Sequence, residues 1–162
     1  MQLAVNISRR QFYEADFVAQ VRQLLTDTQI NPARLKLELT ESLVLKDLDD
    51  ARDKMHELRQ LGVGFSMDDF GTGYSSLSNL KHLPFDQLKI DQSFINDLGV
   101  NTDDAIIVKT IIVMAKSMNM EVIAEGVETE AQRQFLSKHD CQLYQGYLFS
   151  KPVPIEQFAL LL

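Results

Sequence analysis

The chain has 162 residues, 45% of them hydrophobic and 24% charged, enough to bury one core, and no long linker or low-complexity run divides it. Sixteen basic against 23 acidic residues leave a net charge of −7, which opposes non-specific attraction to DNA, RNA or an anionic bilayer and removes those polymers from the expected partners. The single cysteine, Cys141, excludes a disulfide within the chain, suits a reducing compartment, and reads as a half-buried small residue rather than a catalytic thiol.

In chain order the segments alternate between strand and helix. Leu3–Ile7 reads as a strand in which Asn6 shares a face with Ala4. Asp16 precedes Phe17, Val18, Val21, Leu24 and Leu25 at helical spacing, and Asn31-Pro32 stops that run. Through Arg34–Thr40, Leu35, Leu37 and Leu39 alternate with Lys36 and Glu38, as in a strand with one apolar and one polar face. Asp47 opens a helix carrying Leu48, Ala51, Met55, Leu58 and Leu61, with Gly62 placed to cap it in a left-handed conformation. Val63–Asp68 alternates again, Val63, Phe65 and Met67 against Gly64, Ser66 and Asp68, and so does Gln87–Asp91 around Leu88 and Ile90. Thr102–Asn119 opens on Asp103 and Asp104, favourable near a helix amino end, and is apolar on most sides, which predicts deep packing. Lys109 and Lys116 interrupt it too soon for a membrane span. A strand through Ile123 ends at Glu125, Thr129 and Gln132 stand at capping-box spacing, and a last strand through Leu143 ends at Gln145. Pro154–Leu162 reads as the start of another helix.

Six apolar segments thus each end in residues that a buried strand does not carry: Asn6, Glu38, Asp68 with Asp69, Lys89, Glu125 and Gln145. Successive positions lie 20 to 36 residues apart, close to the length of a strand–loop–helix–loop unit. Polar groups at the carboxyl ends of parallel strands are where α/β barrels place their chemistry. A parallel sheet covered by helices on both faces gives near-continuous apolar runs, so the alternation favours a barrel, its apolar set against the helices and its polar set in the lumen. The expected fold is α/β, an incomplete TIM-type barrel with about six of the eight β/α units. Its unpaired edges, near Leu3–Ile7 and Leu143–Tyr147, predict a homodimer or a strand-exchanged oligomer.

Glu38, Asp68, Asp69 and Glu125 gathered at one mouth need compensating cations, and Lys89 alone supplies too little charge. Carboxylates with the amide oxygens of Asn6 and Gln145 suit Mg²⁺ or Mn²⁺ rather than zinc. The adjacent pair Asp68-Asp69 could serve two ions about 4 Å apart, the arrangement that activates water and stabilises a leaving oxygen in phosphoester hydrolysis. His56, His82 and His139 are dispersed and make no ligand cluster, and Met114, Met118 and Met120 read as packing.

Six motifs in order carry a resemblance: VNIS (Val5–Ser8), ELTES (Glu38–Ser42), DDFGTGYSS (Asp68–Ser76), PFDQLKID (Pro84–Asp91), AEGVET (Ala124–Thr129) and QGYLFSKP (Gln145–Pro152). The chain resembles EAL domains, TIM-barrel phosphodiesterases that hydrolyse the bacterial second messenger cyclic di-GMP to linear pGpG. The resemblance implies that Asn6, Glu38 and Asp68 bind a first metal ion, and Asp68, Asp69 and Glu125 a second. It also makes Glu125 a candidate general base, sets Lys89 against the attacking water and phosphate, gives Gln145 a supporting place, and has Glu128 orient metal-bound water or substrate. Phe70, Gly71, Thr72, Gly73 and Tyr74 resemble the family's regulatory loop, with Glu41 its anchor, which couples the metal site to dimerisation. Tyr74, Tyr144 and Tyr147 stand where a ring could stack on guanine, although packing is the favoured explanation for each.

One departure is large: the Glu-Ala-Leu stretch that names the family, with its metal-binding glutamate and nearby phosphate-gripping arginine, is absent. Residues 1–162 therefore read as the carboxyl-terminal three-quarters of one EAL-type domain, inactive or nearly so alone. The expected location is cytoplasmic, free or as the cytoplasmic part of a membrane-anchored parent. The alternatives are a non-catalytic cyclic di-GMP-binding or dimerisation module, and another metal-dependent barrel enzyme such as an enolase-like lyase.

Overall fold

A computed structural model describes residues 2–71, 80–98 and 102–161. Six strands form one sheet in chain order: β1 (Leu3–Asn6), β2 (Leu35–Thr40), β3 (Gly64–Phe70), β4 (Gln87–Ile90), β5 (Glu121–Ala124) and β6 (Leu143–Tyr144). Every adjacent pair is parallel. Parallel neighbours need crossovers, and helices supply them: α1 (Arg9–Phe12) and α2 (Phe17–Thr28) after β1, α3 (Glu41–Val44) and α4 (Leu48–Gln60) after β2, α5 (Gln92–Asn96) and α6 (Thr102–Ser117) after β4, and α7 (Glu130–Lys138) after β5. α8 (Ile155–Phe158) follows β6, where the sequence predicts a helix. The result is a half-barrel, an incomplete TIM-type barrel with six of its β/α units.

Register places the alternating residues as the sequence predicts. Lys36 lies beside Gly64 and Glu38 beside Ser66, while Ser66 pairs with Gln87 and Lys89 with Ile123. Within β2–β4 the lumen residues Lys36, Glu38, Ser66, Gln87 and Lys89 are buried, and Ser66 Oγ donates to Gln87 Oε1 at 3.1 Å. The other set, including Leu37, Leu39, Phe65, Met67, Leu88 and Ile90, is buried against the helices, at about 1.5–3 kcal/mol for each large apolar side chain removed from water.

Local signals hold this frame. Asp47 caps α4 by accepting from Asp50 N, Gly62 follows that helix at φ +96°, and Thr129 with Gln132 forms the capping box of α7. Asp16 precedes α2 but makes no side-chain cap. Three short helices, α1, α3 and α5, escape the sequence reading because four or five residues are too few to show a period.

Two expectations about burial are corrected. The helix predicted over Thr102–Asn119 ends at Ser117, and it is not packed all round: Val108, Ile111, Ile112 and Ala115 are buried, but Ile106 and Val113 are 60% and 65% exposed. Apolar composition says that a helix can be covered on every side, not that a neighbour is there to cover it. Cys141 is buried rather than half-buried, and desolvation pushes its thiol up to about 11. Edge residues Leu3, Val5 and Leu143 lie open to solvent. Among the described residues no helix is long and apolar enough to cross a membrane.

Candidate active site

The carboxyl ends of β2, β3, β4 and β5 meet on Lys89. Its Nζ lies 2.8 Å from Glu38 Oε2, 3.0 Å from Asp68 Oδ1 and 2.6 Å from Glu125 Oε1. Four strand ends thus converge within hydrogen-bond reach, as alternation predicts for residues that share the lumen face. Burial works against the Lys89 ammonium, but its contacts with the Glu125, Glu38 and Asp68 carboxylates outweigh it and hold the group above the ordinary lysine range. Glu125 is raised as well: burial favours its neutral form, and Lys89 offsets this only in part.

Flanking groups complete the rim. From β6, Gln145 Nε2 donates to Glu125 Oε1 at 2.5 Å. From β1, the terminal amide of Asn6 lies 3.2 Å from Asp68 Oδ2 and 3.3 Å from Glu38 Oε2, donating to both when its nitrogen faces them. Turned the other way, the amide brings three oxygens together, the donor set that a hard divalent cation takes. Asp68 Oδ1 is buried and, despite the nearby ammonium, receives no aligned hydrogen bond. Among the described residues no three carboxylates stand at mutual metal-ligand spacing, because Lys89 stands between them. Oxygen chemistry and the leftover acceptor both suit a divalent cation.

A local irregularity, unmarked in the sequence, brings in Asp69. The β3–β4 register shifts between Met67 and Phe70, and Asp69 takes a left-handed backbone, φ +55°. A regular strand would send Asp68 and Asp69 to opposite faces; the bulge re-aims the second. Burial raises the Asp69 carboxyl, followed by the charges of Asp68 and Asp91. Glu128 lies on the loop beyond Glu125, exposed, its backbone N–H held by Gln132 Oε1 at 2.8 Å.

Glu41 is buried at the start of α3, with Oε2 unpaired among the described residues. Phe70 is buried at the end of β3 and Gly71 follows at φ +96°. Thr72, Gly73 and Tyr74, the remainder of the predicted loop, lie outside the described residues. A cavity of about 620 Å³ opens beside Glu125, lined by Glu128 and Gln145 and by four residues that no site expectation included, Gln92, Phe149, Lys151 and Phe158. Their signal was adjacency: each lies in the loop or short helix that follows a strand whose end carries the chemistry. Tyr147 also lines it, exposed, whereas Tyr144 is half-buried in β6. Of the three histidines none enters the site; the His139 ring rests on Phe135, 4.7 Å between centroids.

Comparison with known proteins identifies the family of this fold. The family model described as EAL domain matches residues 1–152. The bifunctional diguanylate cyclase/cyclic di-GMP phosphodiesterase MucR of Pseudomonas aeruginosa is 47% identical over 155 residues, which cover 96% of this chain and 23% of that protein. The solved PaMucR phosphodiesterase, a c-di-GMP complex, superposes with a TM-score of 0.93 at 46% identity, over 97% of this chain and 64% of that one. Klebsiella pneumoniae BlrP1, solved as a manganese/cy-diGMP complex, gives 0.85 at 32% identity over 93% and 39%. The chain thus spans under a quarter of the curated relative's length and under two thirds of the solved MucR chain. With the family model running from the first strand to just beyond the last, the chain belongs to the EAL domain family.

Proposed function

We propose that this chain carries the metal-binding and proton-handling residues of a cyclic di-GMP phosphodiesterase, acting to give linear pGpG. The observation that carries the reading is the ammonium of Lys89 bound to carboxylates from three other strand ends at 2.6–3.0 Å. Asn6, Glu38 and Asp68 would hold one divalent cation, Mg²⁺ or Mn²⁺, and Asp68, Asp69 and Glu125 a second. When bound, such ions lower the pKa of water and stabilise charge on attacking and leaving oxygens.

The protein groups divide the remaining work. Lys89, held as ammonium, donates to the phosphate oxygens and orients the attacking water. Glu125, its carboxyl raised by burial, is the general base that accepts the water proton. Water oxygen bonds to phosphorus as the P–O3′ bond breaks, leaving a 5′-phosphate, and the departing O3′ takes a proton from solvent to become the 3′-hydroxyl. Gln145 fixes the Glu125 carboxylate through its 2.5 Å hydrogen bond, and Glu128 faces the cavity to orient water or substrate. Glu41, Phe70 and Gly71, with Thr72, Gly73 and Tyr74, form a regulatory loop coupled to a homodimer or strand-exchanged oligomer. The exposed Ile106 and Val113 and the open β1 and β6 edges support self-association.

The sequence contains no Glu-Ala-Leu stretch, so these 162 residues alone turn over slowly or not at all, and the place of action is cytoplasmic. That missing ligand also favours a second reading, a cyclic di-GMP receptor without turnover. Calorimetry with and without Mn²⁺, beside a hydrolysis assay, separates them. Metal-dependent binding with even slow release of pGpG supports the enzyme; metal-independent binding without product supports the receptor. No binding in either condition overturns both.

A further inference from the structure

The cavity beside Glu125 has a charge problem that the acid cluster does not solve. Glu125 and Glu128 both line it, and the nearby ammonium of Lys89 is already enclosed by Glu38, Asp68 and Glu125. A cyclic dinucleotide carries two phosphodiesters, one anionic charge on each. If one is presented to the acid cluster, the other lies elsewhere in a space of about 620 Å³ whose lining, among the described residues, contains a single basic side chain, Lys151.

Lys151 is exposed, and its Nζ stands 5.2 Å from the centroid of the Tyr147 ring. Among the described residues no carboxylate lies within ion-pair distance of it, in contrast to Lys36, Lys54 and Lys116, each of which has one, and Lys89, which has three. A cation over an aromatic face is oriented without being neutralised, so the charge stays available to an incoming anion. The same turn offers Phe149, 74% exposed and lining the cavity, as an apolar surface for a base. Cation and apolar ring thus stand together at the wall shared with Gln145 and Gly146.

We infer that Lys151, held over Tyr147, is the specificity residue that receives the second phosphate of a cyclic dinucleotide, so that the cavity distinguishes a ligand with two phosphodiesters from one with a single phosphate. This assignment rests on the proposed cyclic di-GMP reading. Its test is calorimetry of the whole chain with Ca²⁺, using cyclic di-GMP and GMP as ligands, for the unmodified protein, Lys151→Ala and Lys151→Arg. Loss of a charge-assisted contact predicts about tenfold weaker cyclic di-GMP binding by Lys151→Ala. Lys151→Arg restores most of it, while GMP and Ca²⁺ affinities change less than about twofold. Unchanged cyclic di-GMP affinity in Lys151→Ala overturns the assignment and leaves the cyclic di-GMP reading standing. Equal weakening of both nucleotides overturns it as well, by moving Lys151 to the base or the first phosphate. Failure of the unmodified chain to bind cyclic di-GMP removes the reading and the assignment together.

Discussion

The two ends of the sheet solve the same electrostatic problem in opposite ways. At the amino ends of β2–β5, cations and carboxylates are matched: Arg59 donates to both oxygens of Asp86, and Lys36 lies 3.7 Å from Glu121. Asp86 also accepts from Phe65 N at 2.9 Å, and its backbone bridges Phe65 O and Glu121 N. At the carboxyl ends one ammonium serves Glu38, Asp68 and Glu125, with Asp69 and Glu128 close by. The matched end ties strands together; the mismatched end stores a demand for positive charge, which a catalytic or binding site needs and a purely structural end does not.

The largest effect is expected where that mismatch is greatest. Lys89→Met leaves three carboxylates without their cation, and breaking a buried ionic network in this way costs about 3–5 kcal/mol. Denaturation with and without Mn²⁺ checks it: divalent metal should restore a larger share of stability to the variant than it adds to the unmodified chain. Equal loss with and without metal would show that Lys89 is only a packing residue.

Next comes the backbone that positions Gln145. Gly146 has φ +154°, and a Cβ there would stand 2.3 Å from Val127 O and 2.4 Å from Val127 N. Those groups are engaged, Val127 N donating to Gln145 O and Val127 O accepting from Leu148 N. Gly146→Ala should therefore cost about 2–4 kcal/mol through overpacking and strain, and it should weaken Mn²⁺ binding by moving Gln145 from Glu125. A variant of ordinary stability would mean that the β5 and β6 loops can separate freely.

Much of the upper rim was legible because strand alternation is a rule of period two: once Leu35, Leu37 and Leu39 face the helices, Glu38 must face the lumen. The same rule misleads at Asp68-Asp69, since a bulge changes the register without changing any residue type. The lower rim was invisible for a different reason. Arg59 and Asp86 are 27 positions apart, and no local pattern announces that the end of α4 will pass over β3 to meet the entrance of β4. Ile106 and Val113 show the third kind of failure, in which composition states what a face prefers but not whether it is covered. Lys151 and Phe149 were missed because loops obey no period.

Acid separates the two rims. Burial raises Asp86, but the Arg59 hydrogen bond, the Phe65 N–H and the Arg59 charge outweigh it and hold the carboxyl below its usual range. A depressed folded value contributes stability above the unfolded value, about 3.9, and that stability is lost as pH falls through the folded value. Glu125 and Asp69 are raised, so their protonation on acidification favours the folded state, opposing that loss. Asp86→Asn should lower stability near neutrality by about 1–2 kcal/mol, discounted for the exposure of Arg59. It should also flatten the acid limb of the melting-temperature profile. A parallel downward shift of the whole profile would place the acid-sensitive carboxylate elsewhere.

The smallest effect tests whether the upper rim can be loosened without touching its charges. Thr129 caps α7 by accepting from Gln132 N at 3.3 Å, while Gln132 Oε1 accepts from Glu128 N and Thr129 N and Gln132 Nε2 reaches Ile95 O at 3.0 Å. Thr129→Ala removes only the first of these and should cost about 1 kcal/mol in chemical denaturation. Gln132 still tethers the backbone of Glu128, so the Mn²⁺ dependence of stability should stay that of the unmodified chain. If Thr129→Ala instead blunts the metal response as much as Gly146→Ala does, the site depends on the α7 cap, and the rim behaves as one mechanical unit rather than as a charge cluster seated on independent loops.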